Sequence, residues 1–348
     1  SLLLKIRIWA VTHVETNQHP AKRLIDPYNR TISYLRLSVT DRCNLRCTYC
    51  MAEKMQFLPR QKLLTLEEIR DVGKAFVTLG INKIRLTGGE PLVRRGIIGL
   101  VDSLASEEGL DELTMTTNGL LLEKKAKDLK LAGLGRLNIS VDSLIPEKFR
   151  QLTRFGDIKD WHKGVNAAKE AQFSNIKLNV VVLKGFNDLE ICDLAEYAIA
   201  NEFDISFIEE MPLGVTKSHD RVQTQVCCGD IKQQLSQKFE LIETIERTGG
   251  PSRYMRVAGT KSKIGFISPI SENFCGACNR VRVTADGRLL LCLGNENSID
   301  LKSIIRNHPG DENMLNEAIR GAIQNKPERH YFDPSRTDIL RFMNTTGG

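Results

Sequence analysis

Cys43, Cys47 and Cys50 stand at spacings of four and three in the stretch Cys43-Asn44-Leu45-Arg46-Cys47-Thr48-Tyr49-Cys50-Met51. Three thiolates in one short loop can hold three irons of a 4Fe-4S cluster and leave the fourth iron open, a place to bind and reduce something. Structural zinc is the competing chemistry, but it normally demands four closed protein ligands. A second triple, Cys275, Cys278 and Cys292, again offers three thiols without an obvious fourth, and no histidine lies between His219 and His308 to complete a zinc shell. A second cluster with an open iron is the favoured chemistry there as well. Arg280 and Arg282 follow directly, and on a strand residues two apart share a face. Beside a cluster, such a pair suits a polyanion such as a triphosphate through bidentate contacts. A solvated charged strand face is the alternative.

Elements capable of holding these groups can be picked out along the chain. The apolar run at 34–39 predicts a strand leading into the first cysteine loop. Thr65-Leu66-Glu67-Glu68 is a capping box opening an amphipathic helix that Gly80 closes. Strand-like runs at 83–87, 113–116, 137–141, 176–182 and 205–208 then alternate with helical runs near 94–106, 122–132, 159–171 and 188–200. This rhythm implies a parallel sheet of βα units. Six or so strands in series fit an α/β fold of the closed or partly closed β/α barrel type, with ligands at the strands' C-terminal ends. An open doubly wound sheet has the same alternation. Two further motifs sit at such ends: Thr87-Gly88-Gly89-Glu90-Pro91, whose glycines let backbone approach a ligand, and Ser140-Val141-Asp142-Ser143, which could also be an ordinary helix cap. From about 211 the pattern changes to shorter strands at 253–257, 263–267, 280–284 and 288–292. Asp286-Gly287 is a hairpin signal between the last two. The expected division is an N-terminal arm at 1–25, the βα region at 26–210, a C-terminal region carrying the second triple at 211–326, and a tail at 327–348.

Composition narrows the classes. The 348 residues are 41% hydrophobic, enough for a large core, and carry a net charge of +6. That mild excess favours anionic ligands, while 6% aromatic content speaks against a nucleic-acid reader. Nine cysteines, an odd number clustered in triples, indicate a reducing compartment and metal ligation over a disulfide framework. Cys192, Cys227 and Cys228 are left as ordinary buried or surface thiols. No apolar run approaches membrane-spanning length, and the first residues lack a clean signal-peptide core.

The CxxxCxxC loop, with Tyr49 before its last cysteine, resembles the signature of the radical S-adenosylmethionine (SAM) superfamily. Taken with Tyr34 to Met51, Lys83 to Pro91, Met115 to Gly119, Asn138 to Ser143, Lys177 to Asn187, Phe207 to Pro212 and Phe274 to Leu293, the likeness is to the GTP 3′,8-cyclase family, over about residues 25–348. The resemblance implies an incomplete (β/α)6-type barrel with a C-terminal extension carrying a second iron-sulfur cluster. It implies two 4Fe-4S clusters, on Cys43, Cys47 and Cys50 and on Cys275, Cys278 and Cys292. SAM is expected against Tyr49, Gly89, Ser140 and Met211. GTP is expected against Arg36, Arg85, Thr116, Lys177, Arg280, Val281 and Arg282, with guanine on the second cluster. The first three cysteines, Arg280 and Arg282 are the candidate catalytic residues. The resemblance further implies a cytoplasmic homodimer that uses an external electron donor and passes its product to cyclic pyranopterin monophosphate synthase, with no nucleic-acid or membrane partner.

Relatives end in two glycines that reach the active site, and Gly347-Gly348 match. Here Met343-Asn344-Thr345-Thr346 replaces a more apolar approach, which leaves tail docking open, and the role of the extension before Asp26 is unassigned. Two other readings stand beside the cyclase: a radical SAM enzyme with an auxiliary cluster acting on a peptide, and a zinc or iron-sulfur module contacting RNA.

Overall fold

Leu24–Ile25 (β1) and Thr31–Ile32 (β2) form a small antiparallel pair at the start of the described chain. The structure, a computed structural model, describes residues 23–214, 219–246, 248–333, 335 and 339–347. Most of the expected N-terminal arm, residues 1–22, and Gly348 lie outside the described residues.

Six parallel strands then run in sequence order: β3 (Tyr34–Ser38), β4 (Lys83–Thr87), β5 (Glu112–Thr117), β6 (Arg136–Ser140), β7 (Ile176–Val182) and β8 (Asp204–Glu209). All lie within two residues of the runs read from sequence. Helices cover their outer face, and the outward residues are branched and aliphatic, as in any parallel sheet buried by its crossovers. On β7, Ile176, Leu178, Val180 and Val182 are buried, while Lys177, Asn179 and Val181 on the other face are only partly so. That alternation places one face of the strand against helices and the other toward a cavity.

β9 (Leu241–Glu243), β10 (Arg253–Val257), β11 (Lys263–Ile267), β12 (Arg280–Val283), β13 (Arg288–Leu290) and β14 (Ser298–Asp300) complete the strands. The sheet runs β14-β13-β12-β3-β4-β5-β6-β7-β8-β11-β10-β9. β12 pairs parallel to β3, and β11 pairs parallel to β8. The chain after 211 therefore extends both flanks of the same sheet, which strand periodicity alone could not reveal. No pairing joins β14 to β9 among the described residues, so the barrel is the incomplete form and not a closed one. The Asp286-Gly287 signal does make the β12–β13 hairpin, with Gly287 at φ 83°.

The helix Leu66–Thr78 opens on the expected capping box: the Thr65 hydroxyl accepts from the Glu68 N–H while the Glu68 carboxylate accepts from the Thr65 N–H. Thr65→Ala should lower unfolding free energy by about 1 kcal/mol, read as a shift in the denaturation midpoint at unchanged slope. The run at 122–132 is split into a 3-10 turn, Leu122–Lys124, and a helix, Ala126–Leu131. The helix Pro146–Thr153, started by proline at its first turn, was not anticipated. Its importance lies in its C-terminal carbonyls, which hold the first cysteine loop.

Candidate active site

The first cysteine loop is shaped by backbone bonds from three sides. Arg46 and Thr48 donate their N–H groups to the carbonyls of Thr153 and Leu152, and Cys50 donates to Cys47. Across the loop the Gly88-Gly89 turn lies directly on the chain ahead of Cys43: Gly89 donates to Thr40 O at 2.8 Å and Glu90 to Arg42 O at 2.8 Å. The Glu90 carboxylate reaches on to accept from Thr117 Oγ1 and the Asn118 N–H, both at 2.7 Å. Burial pushes Glu90 up to about 7 against the pull of those donors. Tyr49 is fixed by donating its hydroxyl to Asp142 Oδ2 at 2.9 Å, and Asp142 Oδ1 accepts from the Val181 N–H. The Ser140-Val141-Asp142-Ser143 motif thus ties the cysteine loop to β7. Ser140 itself is held through its carbonyl, which accepts from Trp161 Nε1.

Burial, then the Glu90 carboxylate, pushes the Cys43 thiol up to about 11. Burial, then Cys43, pushes Cys50 up to about 12, and burial, Cys50 and Asp142 raise Cys47 well above its usual value. As thiolates the three would repel one another, so a cationic iron-sulfur core would supply the charge that stabilises this donor set; among the described residues no three Cys, His, Asp or Glu side chains are already gathered about one metal position.

An open cavity lies beyond this end, lined by Arg36, Arg85, Asn138, Lys177, Asn179, Met211, Arg280, Val281, Arg282 and all three cysteines of the second triple. Thr116 is reached through Arg85, whose Nη1 donates to Thr116 Oγ1 at 3.4 Å. Val281 offers backbone only, because its side chain belongs to the hydrophobic core. Cys43, Cys47, Cys50, Tyr49, Gly89 and Ser140 are not among the lining residues of this cavity. The two cysteine triples therefore mark different parts of the site.

Among the described residues none of the five lining cations Arg36, Arg85, Lys177, Arg280 and Arg282 forms an ion pair with a carboxylate. The recorded partners of four of them are neutral: Gly347 O for Arg36 and Arg282, Thr116 Oγ1 for Arg85, Tyr254 OH at 3.2 Å for Lys177. Burial, then Arg85 and Arg280 against the favourable pull of Tyr34, lowers Arg36 to about 10. Burial, then Arg36 and Arg280, drives Arg282 well below its ordinary value. So dense a set of desolvated positive charges is unfavourable until an anion enters it.

Comparison with known proteins decides the family. Sequence profiles match the Radical SAM superfamily over residues 37–198 and Molybdenum Cofactor Synthesis C over residues 203–332. A GTP 3′,8-cyclase of Pseudomonas entomophila is 57% identical over 327 residues, spanning 93% of this chain and 98% of its own. One from Pseudomonas putida is 56% identical over 94% of this chain and 99% of its own, and GTP 3′,8-cyclase 2 of Pseudomonas aeruginosa is 54% identical over 94% and 99%. The chain belongs to the GTP 3′,8-cyclase family. Among solved structures, Streptococcus suis SuiB bound to S-adenosylmethionine aligns at TM-score 0.59 and 14% identity, covering 84% of this chain and 69% of that one, which shows a shared fold.

This member of the family is a radical SAM enzyme whose cofactors are SAM and two 4Fe-4S clusters. In its second triple, Cys278 is exceptional. Burial raises its thiol, but Lys326 and Arg280 pull it further the other way, to about 7. Cys292 stays raised, mainly by burial. Lys326, only 3% exposed, donates its ammonium to the carbonyls of Arg280 and Leu291 and so clamps both strands of the cysteine hairpin. His330 Nδ1 lies 3.2 Å from Cys275 Sγ, with Nε2 3.0 Å from the Pro269 carbonyl. His330 lies outside the interval between His219 and His308, and the fold brings it to Cys275 from beyond the hairpin. Lys326-Pro327 and His330, three residues further on, were legible as residues but carried no signal of proximity.

The tail docks. Gly347 O accepts from Arg282 Nη1 at 2.7 Å and from Arg36 Nη2 at 3.3 Å. Asn344 sends its amide to Asp41 O at 2.9 Å and its backbone N–H to Cys50. The polar approach that left docking open is accommodated because Thr346 bonds to Met343 O within its own turn and Asn344 donates its amide to Asp41, although Asn344 Oδ1 is buried without a partner. Tyr34 is a further lumen residue that the sequence pattern missed. Burial raises its phenol, but Arg85, Arg36, Lys83 and Arg280 prevail and lower it to about 8.

Proposed function

We propose that the chain converts GTP to (8S)-3′,8-cyclo-7,8-dihydroguanosine 5′-triphosphate, the first step of molybdenum cofactor biosynthesis. The single observation that carries this is the set of five cavity-lining cations without a carboxylate partner among the described residues, set beside three thiols in one cavity. The triphosphate lies on Arg36, Lys177, Arg280 and Arg282, each matched to acceptor-only oxygens. Cys275, Cys278 and Cys292 would hold the second cluster, against which guanine would lie. Cys43, Cys47 and Cys50 would hold the cluster on which SAM, when bound, would supply the radical chemistry that removes the ribose 3′ hydrogen and lets that carbon join guanine carbon 8. Tyr49, Gly89, Ser140 and Met211 position SAM, and the docked tail excludes water between the two ends. Two electrons are needed, one to cleave SAM and one, with a proton, to bring the cyclised nucleotide to its dihydro form; an external donor provides them, and the product passes to cyclic pyranopterin monophosphate synthase. The enzyme works in the cytoplasm as a homodimer; no helix among the described residues is long and apolar enough to cross a membrane.

Anaerobic reconstitution should give about eight irons per chain, from two cubane clusters. With dithionite, SAM and GTP it should yield 5′-deoxyadenosine and a product of the mass of GTP. 5′-Deoxyadenosine without a GTP-derived product would instead direct attention to peptide substrates. Arg282→Ala should weaken GTP binding by about 10- to 100-fold, as expected for lost hydrogen bonds to a charged group, at unchanged iron content. Equilibrium binding checks it.

A further inference from the structure

Asn138 is 1% exposed and neither atom of its carboxamide has a hydrogen-bond partner, although it lines the cavity. A buried amide left with both donor and acceptor unmet is costly and calls for a ligand. Its strand neighbours Leu137 and Ile139 face the other way, into the apolar core, so periodicity fixes Asn138 on the cavity side. Asparagine is also a poor strand residue, and a purely structural position here would be filled by an aliphatic side chain. In register it stands between Thr116 on β5 and Lys177 on β7, and two residues along its own strand is Ser140. The amide is therefore placed within the nucleotide layer, on the strand that leads to the cysteine-loop end.

The chemistry of the group selects its partner. Phosphate oxygens only accept and are already matched by cations. Vicinal hydroxyls each donate and accept, and a carboxamide presents one donor and one acceptor side by side. We propose that Asn138 binds the 2′ and 3′ hydroxyls of the substrate ribose, turning the 3′ carbon toward the first cysteine loop. This rests on the GTP reading above and adds to it a residue that selects ribonucleotides over deoxyribonucleotides.

The test is equilibrium binding of GTP and 2′-deoxyGTP to the reconstituted protein and to Asn138→Leu, which keeps the branched side-chain skeleton and removes both polar atoms. The unsubstituted protein should prefer GTP by about tenfold, the worth of a hydroxyl contact made by a buried amide. In N138L the preference should vanish, with GTP binding falling to the level of 2′-deoxyGTP. Equal binding of both nucleotides by the unsubstituted protein would overturn the inference, as would equal weakening of both in N138L or an N138L that still discriminates. Should N138L lose its iron, Asn138→Ala takes its place, with the same outcomes. Absence of any GTP binding to the unsubstituted protein would overturn the GTP reading and this inference together.

Discussion

Cys278→Ser is expected to reduce GTP cyclisation by at least about a hundredfold, the cost of a misplaced substrate, while 5′-deoxyadenosine still forms under strong reductant. The two activities separate because the second triple lines the cavity and the first does not. Cys278 is also the thiol that the protein itself draws down, to about 7, using Lys326 and Arg280 against the cost of burial. A serine hydroxyl cannot offer an anionic donor there at neutral pH, so one iron loses its ligand. Iron content should fall toward that of a single cluster. Mass spectrometry of the two products, run beside an iron count, checks the result; cyclisation at the original rate would refute the assignment of separate roles to the two triples.

Gly89→Ala should have the opposite selectivity, removing SAM cleavage first. A Cβ on Gly89 would stand 2.4 Å from Arg42 O and 2.6 Å from Arg42 C. Those are backbone atoms immediately before Cys43, and they cannot swing away as a flexible side chain would. The Gly89 N–H to Thr40 O and Glu90 N–H to Arg42 O bonds would be forced apart together. Overpacking of this kind costs about 1–3 kcal/mol, sometimes more, and the displacement falls on the cysteine loop. The expected outcome is loss of the first cluster's spectroscopic signal and of 5′-deoxyadenosine, with the iron of the second cluster retained. A variant that cleaves SAM normally would show that the loop tolerates the shift.

The βα half of the fold was legible because each strand announces itself by an apolar run and each helix by its period, as the capping box at Thr65 and the hairpin at Asp286-Gly287 do locally. The cysteine spacings were equally plain. What escaped were relations between distant segments. Nothing around Lys263 or Arg280 says that these strands flank β8 and β3, and nothing around Lys326 or His330 says that they back the second triple. Asn138 carries no signal of its own in the sequence. Its significance lies in being buried without a partner, a property that exists only in three dimensions. Tail docking depended in the same way on Asn344 finding Asp41 and Cys50.

The parallel pairing of β12 with β3 joins segments far apart in the chain; the Asn279–Ser33 contact at its base spans 246 positions. During synthesis at about 5–20 residues per second, β3 therefore waits on the order of tens of seconds for its outer neighbour. The early strands and the helix Pro146–Thr153 can shape the first cysteine loop in that interval, whereas the hairpin bearing the second triple has not yet been made. Long-range closure of this kind is slow and leaves a strand edge open to other chains. The topology thus orders the two cysteine triples in time: Cys43, Cys47 and Cys50 already have their supporting strands and helix before Cys275, Cys278 and Cys292 are made.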